Sequence, residues 1–253
     1  MPQLTRLPDV TRAVVFAPLD AIGRADRVEQ RIGDAIVLGV LRDGERLPSE
    51  AELARRLGVA VVTAREALEA LRARGLVQTR RGREGGSFVT FDPAASDRVV
   101  DERLAAISRI DIRDLAAHYT AIAGTAAELA ADRATDDDVA SLRALAASVD
   151  SSTAGAARRG HGRFRLDVAA LSQSARLVHE ELRLQAEFGP LLWMCLRDAD
   201  YRERSRVVRD ETVDAVEALD PERARRITTA WIGEATGWLI DEKTRRERSG
   251  GTG

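Results

Sequence analysis

The sequence predicts a mainly α-helical protein in two units: three short helices closed by a β-hairpin, then an all-helical bundle. Three observations carry that reading. Apolar residues recur at helical spacing through most of the chain. One pair of β-like runs, Leu76-Val77-Gln78-Thr79-Arg80 and Ser87-Phe88-Val89-Thr90, flanks a glycine-rich turn. Beyond Phe91-Asp92-Pro93 the β signals stop.

Residues 1–24 carry no sustained period and read as a mobile arm. From Ala25, the residues Val28, Ile32, Ala35 and Ile36 mark a first helix, with Gly39 as its stop. Asp43-Gly44 is a turn. Leu47-Pro48-Ser49-Glu50 leads into a second helix with Ser49 as N-cap, Glu52 completing a capping box, and Leu53, Ala54 and Leu57 as its buried stripe. Leu57-Gly58-Val59 closes it in a corner that calls for the positive φ of glycine. In the third helix Ala64, Ala67, Leu68 and Leu71 face inward, leaving Thr63, Arg65, Glu66 and Glu69 outside, and Gly75 ends it. The hairpin tip Arg81-Gly82-Arg83-Glu84-Gly85-Gly86 is basic. Residues 25–91 thus form a winged helix-turn-helix, whose third helix fits the major groove of DNA while the wing follows the backbone.

The rest reads as helices near Ser96 to Ser108, Ile112 to Ala134, a segment capped by Thr135, Ala156 to Leu171, Ala175 to Arg197 with a kink at Gly189-Pro190, Asp200 to Leu219, and Pro221 to Lys243. The bundle is expected over residues 96–243, and 244–253 as a disordered tail.

Composition narrows the function. The 253 residues carry a net charge of −2, but 15 Arg face 12 acids in residues 1–90, and 8 Arg face 2 Glu in residues 55–83. That local excess suits phosphates, whose neutralisation and counterion release supply most non-specific affinity. Apolar runs such as Ala13 to Ala17 and Ala35 to Val40 are far too short to cross a membrane. Cys195 is the sole cysteine, which excludes an intramolecular disulfide and a multi-Cys zinc site and suits a reducing cytoplasm. No Gly-x-Ser-x-Gly, phosphate loop or His-Glu-x-x-His signature points to an enzyme.

Leu-Pro-Ser-Glu, Glu-Leu-Ala, Leu-Gly-Val, Arg-Glu-Ala-Leu, Gly-Leu-Val and Gly-Gly-Ser-Phe-Val follow in order from Leu47 to Val89, and this segment resembles the GntR-family DNA-binding domain. The resemblance implies contacts with DNA from Ser49, Arg56, Val61, Thr63, Arg65, Arg81, Arg83, Gly85 and Gly86. The family commonly has Ser-Arg where this chain has Ala60-Val61, and the FadR-type subfamily often has Arg at Ala51. An altered or weaker operator preference follows, with Val61 on a thymine methyl.

Leu129-Ala130-Ala131-Asp132-Arg133-Ala134-Thr135, Phe164 and the run Asp214 to Ala224 are similar to the FCD domain of the FadR-type subfamily. Many FCD domains hold a divalent metal through one Asp and three His. Here those positions fall on His161, Arg165, Arg209 and Trp231, so no metal or other cofactor is expected. Two arginines in one cavity need anions. These come from a carboxylate or phosphate effector, with Tyr119, His161 and Trp231 lining the rest, or from acids such as Glu128 or Asp214. The resemblance implies a homodimeric, ligand-responsive repressor on a palindromic double-stranded DNA operator. The alternative is a C-terminal domain that has lost its ligand and serves only for dimerisation.

Overall fold

The computed structural model describes residues 23–37, 41, 43–82, 85–90 and 93–250. The arm expected over 1–24, the stop at Gly39 and the wing residue Arg83 lie wholly or almost wholly outside them. The first unit comprises α1 (Arg24–Val37), α2 (Glu50–Leu57), α3 (Val61–Ala73) and the antiparallel strands β1 (Val77–Arg80) and β2 (Gly86–Val89), in register Val77 to Val89. An isolated bridge between Arg46 and Phe88 adds a third short rung.

Each helix of the head buries the face that its spacing prescribes. Val28, Ile32 and Ile36 of α1, Leu53 and Ala54 of α2, and Ala64, Ala67, Leu68 and Leu71 of α3 share one core with Leu76, Val77 and Val89. Gly58 holds φ +66° at the corner between α2 and α3. The end of α3 is a paired-bond stop: Gly75, at φ +73°, donates to the Arg72 carbonyl, and the Leu76 amide to that of Leu71.

The second unit comprises α4 (Pro93–Ala106), α5 (Arg109–Arg133), α6 (Asp136–Ser148), α7 (Ala154–Leu171), α8 (Ala175–Glu187), α9 (Gly189–Leu192), a 3-10 turn (Trp193–Arg197), α10 (Ala199–Glu217) and α11 (Pro221–Gly250). Helices α5 and α11 pack along each other, and the small residues Ala116, Ala123, Ala126 and Ala127 let neighbours approach α5 closely. Ser108, Thr135, Thr153, Ser174 and Asp198 cap the helices that follow them, and Thr135 with Asp138 closes a full capping box. The single helix expected over Ala175 to Arg197 is three pieces, because Pro190 opens a new first turn and the buried Trp193 begins the 3-10 turn.

Two local expectations are corrected. Glu52 does not reach back to close a capping box on α2, because Arg55 and Arg56 take its carboxylate. The last helix does not stop at Lys243 and give way to a tail at 244, but runs to Gly250. Ion pairs from Arg246 to Asp101 and from Arg109 to Glu247 tie these added turns to α4 and α5.

Helix α4 joins the units. Its Val99 belongs to the core of the head, and its neighbour Val100 to the core of the bundle. Lys243 donates to the carbonyls of Leu104 and Ala105 in its last turn, a cation at the negative end of a helix dipole. Among the described residues no helix is long and apolar enough to cross a membrane.

Helical glycine usually gains from replacement by alanine. At Gly160 the opposite is expected, because an added Cβ would lie 2.4 Å from Val149 Cγ1. Gly160→Ala should lower unfolding stability by about 1 kcal/mol or more, and adding Val149→Ala should recover part of the loss, as read by denaturant titration.

Candidate nucleic-acid interface and buried arginine cluster

The outer face of the head is built by α2, α3 and the wing. The N-terminal turn of α3 exposes two adjacent apolar side chains, Val61 at 45% and Val62 at 57%. Arg65 follows one turn later on the same side, and its Nε donates to Glu50 Oε2 on α2 at 2.9 Å, not to Glu69 one turn along its own helix. That bond raises the Arg65 pKa further above its ordinary value. Glu66 and Glu69 occupy the exposed face beyond it, and Thr63 is half-buried. Arg55 and Arg56 flank α3 on α2, and their hydrogen bonds hold the Glu52 carboxyl below its ordinary range. Ser49 is committed to its own helix, accepting from the Glu52 amide at 3.3 Å.

The wing is shaped by close backbone packing. A Cβ on Gly85 would lie 2.6 Å from the Arg80 carbonyl oxygen, and Gly86 sits at φ +152°. Arg46 Nη2 donates to the Gly85 carbonyl at 2.7 Å, the Arg80 guanidinium lies 4.4 Å over the Phe88 ring, and Arg81 is exposed. Arg46, Arg80 and Val62 were not singled out from the sequence, since what brings them to the face is a bridge, a ring stack and the helix start at Val61.

In the bundle Tyr119, His161, Arg165, Arg209 and Trp231 are all buried, each 3% exposed or less. His161, at the centre, accepts from Trp231 Nε1 at its Nε2 (3.2 Å) and meets Ser205 Oγ at its Nδ1 (3.0 Å). Burial, with the Arg209 and Arg165 charges, holds its imidazole well below the ordinary value of 6.5. The ring is therefore neutral, with its proton on Nδ1 because Nε2 accepts. Arg165 donates to Thr228 Oγ1 and to the Ala123 carbonyl, both at 3.2 Å, and its Nε lies 3.9 Å from Glu181 Oε1.

Glu181 also accepts from the Tyr119 hydroxyl at 2.6 Å, and Gln185 bonds Tyr119, Glu181 and Trp193. Burial and then Glu181 push the Tyr119 phenol well up. Glu128 and Asp214, the acids named as the alternative to an effector, serve Arg225 and Arg143 at the surface, and inside the bundle Glu181 faces Arg165. Its only sequence signal was the four-residue spacing from Gln185.

Arg209 differs from Arg165. It donates to Ser205 Oγ at 2.9 Å and Ser151 Oγ at 3.5 Å, and among the described residues no carboxylate lies within ion-pair distance of it. Its Nε, the Nε of Arg165 and Oε2 of Glu181 are buried without hydrogen-bond partners. Burial lowers the Arg209 pKa.

His161, Arg165, Arg209 and Trp231, where the resemblance places the metal ligands of FCD domains, are all buried in the bundle and offer the wrong chemistry for a metal. Both nitrogens of His161 are engaged internally, Trp231 offers an N–H, and two guanidiniums repel a cation. These residues do not fit a divalent metal. Elsewhere in the bundle Cys195 is buried, with its thiol pushed up to about 12 by that burial, and is unreactive.

Arg158 lies on the same face of α7, one turn before His161 and two before Arg165. It is 2% exposed and donates to Asp97 Oδ1 of α4 at 2.8 Å. Arg197 bonds both Asp97 and Asp101, and Arg246 bonds Asp101. Burial raises the Asp97 carboxyl, but Arg158 and Arg197 outweigh it and hold the group below its ordinary value.

Comparison with known proteins agrees with this architecture. The family model "Bacterial regulatory proteins, gntR family" matches residues 24–89, and that of the FCD domain matches residues 114–234. The chain is 39% identical over 239 residues to the Mycobacterium gastri protein named "Putative HTH-type transcriptional regulator RmpR", covering 93% of this chain and 87% of that one. It is 30% identical over 162 residues to the Uxu operon transcriptional regulator of Escherichia coli, covering 61% and 62%. Among solved structures, McbR/YncC of E. coli shares the fold with TM-score 0.53 at 19% identity, over 87% of this chain and 99% of that one. The chain belongs to the gntR family of bacterial regulatory proteins and is a DNA-binding transcriptional regulator rather than an enzyme, with an FCD domain behind its winged helix.

Proposed function

We propose that the protein is a FadR-type cytoplasmic repressor that binds a palindromic operator as a homodimer and responds to a small anionic effector, a carboxylate or phosphate, in the FCD domain. The observation that carries the effector is the buried Arg209, which has hydroxyl partners and, among the described residues, no carboxylate within ion-pair distance. An uncompensated buried charge is costly, and an anion would supply the missing partner with bidentate geometry. His161 shares Ser205 with Arg209 and meets Trp231 through its other nitrogen, and Arg165 and Tyr119 gather on Glu181 beside it. Helix α7 carries His161 and Arg165 together with Arg158, whose partner Asp97 belongs to the joint helix α4, so that an anion drawing on Arg165 would be felt at the head.

On the DNA side, Arg65 reads a base edge, Val61 meets a thymine methyl, and Arg56, Thr63, Arg81, Arg83, Gly85 and Gly86 follow the backbone. One observation favours a second reading, a C-terminal domain that serves only for dimerisation. Both nitrogens of His161 and both terminal nitrogens of Arg165 already have bonds within the chain.

A thermal-shift screen with organic acids, phosphorylated metabolites and acyl-CoA thioesters separates the two readings, because a ligand of the native state raises the melting temperature by mass action. The sensor predicts a rise with one anion class that is lost in Arg209→Gln. No rise with any of them supports the dimerisation platform.

Replacing Arg65 with alanine should weaken binding to a selected operator about tenfold or more without changing the melting temperature, since a bidentate base contact is worth ~1–3 kcal/mol. Anisotropy titrations at fixed salt measure this, and unchanged affinity removes Arg65 from the reading surface.

His161 contributes a pH dependence whose sign is fixed by its depressed pKa. Below about pH 6.5 the unfolded chain takes up a proton that the folded chain refuses, so stability is full above that pH and falls as pH drops, by up to about 1.4 kcal/mol per unit. Denaturant titrations from about pH 7.5 to about pH 5.5 should show the fall, reduced in His161→Gln.

A further inference from the structure

We propose that Val61 and Val62 together form an apolar reader of thymine 5-methyl groups, so that this regulator selects A·T pairs beside the base pair under Arg65. The inference rests on the DNA-binding reading of α3 and extends it to Val62 and to the kind of base selected.

The exposed face of α3 has three zones. Its first turn presents Val61 and Val62, both solvent-exposed. Its middle presents the Arg65 guanidinium, held by Glu50. Beyond that come the acids Glu66 and Glu69, which repel phosphates and keep the later turns of α3 from the backbone. The N-terminal residues of a recognition helix are the ones that meet base edges. The valines therefore sit where sequence is read, and Arg55, Arg56 and Arg81 stand to either side for the phosphates.

A valine side chain can neither donate nor accept a hydrogen bond. The major groove offers one apolar group for it to touch, the 5-methyl of thymine. Two exposed valines side by side would each lose water-exposed area on such a methyl. Residues 61 and 62 are one position apart, about 100° around the helix, and so reach neighbouring methyls rather than the same one. Both side chains lie outside the core of the head, so replacing them leaves that core intact.

The experiment selects tight-binding duplexes from a random pool with the full chain, then prepares the selected sequence with thymine or with uracil in the variable region. Uracil keeps every hydrogen-bonding group of thymine and lacks only the methyl. Wild-type protein should bind the uracil duplex about fourfold more weakly for each contacted methyl, the factor that corresponds to ~0.8 kcal/mol for one buried carbon.

The double variant V61A/V62A should bind both duplexes alike, with an unchanged melting temperature and salt dependence. Equal binding of both duplexes by wild type, or a full thymine preference kept by V61A/V62A, overturns the inference while leaving the DNA-binding reading in place. Failure to enrich any duplex would overturn that reading, and the inference with it.

Discussion

Burying positive charge in a helical bundle is the constraint on which the arrangement of this molecule depends. Arg158, Arg165, Arg209 and Lys243 are each nine-tenths or more buried, whereas Glu181 is the one carboxylate in that class among the described residues. Leaving such charges without partners would cost about 3–5 kcal/mol each. The partners therefore have to come from other helices, and they fix how those helices meet. Glu181 of α8 turns toward Arg165 of α7. Asp97 of α4 turns toward Arg158 of α7. Lys243 of α11 ends on the carbonyls that close α4. Only Arg209 draws on hydroxyls alone.

That pattern gives α4 a standing beyond that of a linker. Its apolar residues Val99 and Val100 enter two different cores, and its acids Asp97 and Asp101 gather guanidiniums from α7, the 3-10 turn and α11. Its Glu102 lies 3.7 Å from Arg74, just beyond the end of the recognition helix. A surface pair of this kind is weak alone, but the polar ladder and the divided apolar face act on one rigid helix. A change in how α7 holds its arginines has a short mechanical route to α3, through two ion pairs and the body of α4.

What could be read from the sequence was what is decided locally. The caps at Thr135, the corner at Gly58 and the stop at Gly75 depend on side chains and φ values within a few residues, and each stands where its spacing placed it. What could not be read were competitions between partners. Glu52 had the spacing for a capping box, but two arginines one turn away outbid the backbone amide. Arg65 had Glu69 at helical spacing and chose Glu50, fifteen residues earlier on the neighbouring helix. The end of α11 looked like a charged tail because Asp101 and Arg109, which hold it, lie far away in sequence. The arginines at 165 and 209 follow from the resemblance to FCD domains, and nothing near them in sequence announces that Glu181, Gln185 and Trp193 close around Arg165 and Tyr119.

The same competition shapes the DNA face. Arg55 and Arg56 share Glu52, and Arg65 is bonded to Glu50, so part of the positive charge around the recognition helix is balanced before any DNA arrives. A contact that uses the bonded nitrogens of Arg55, Arg56 or Arg65 has to displace a carboxylate, and its net gain is smaller for that. Groups that have no internal partner to give up lose nothing on contact, and at the first turn of α3 those are apolar. A valine in place of an arginine exchanges a strong contact that acts on phosphates and guanines alike for a weaker one that depends on a single methyl. A weak contact of that kind adds to what Arg65 reads and biases the choice of the base pairs beside it.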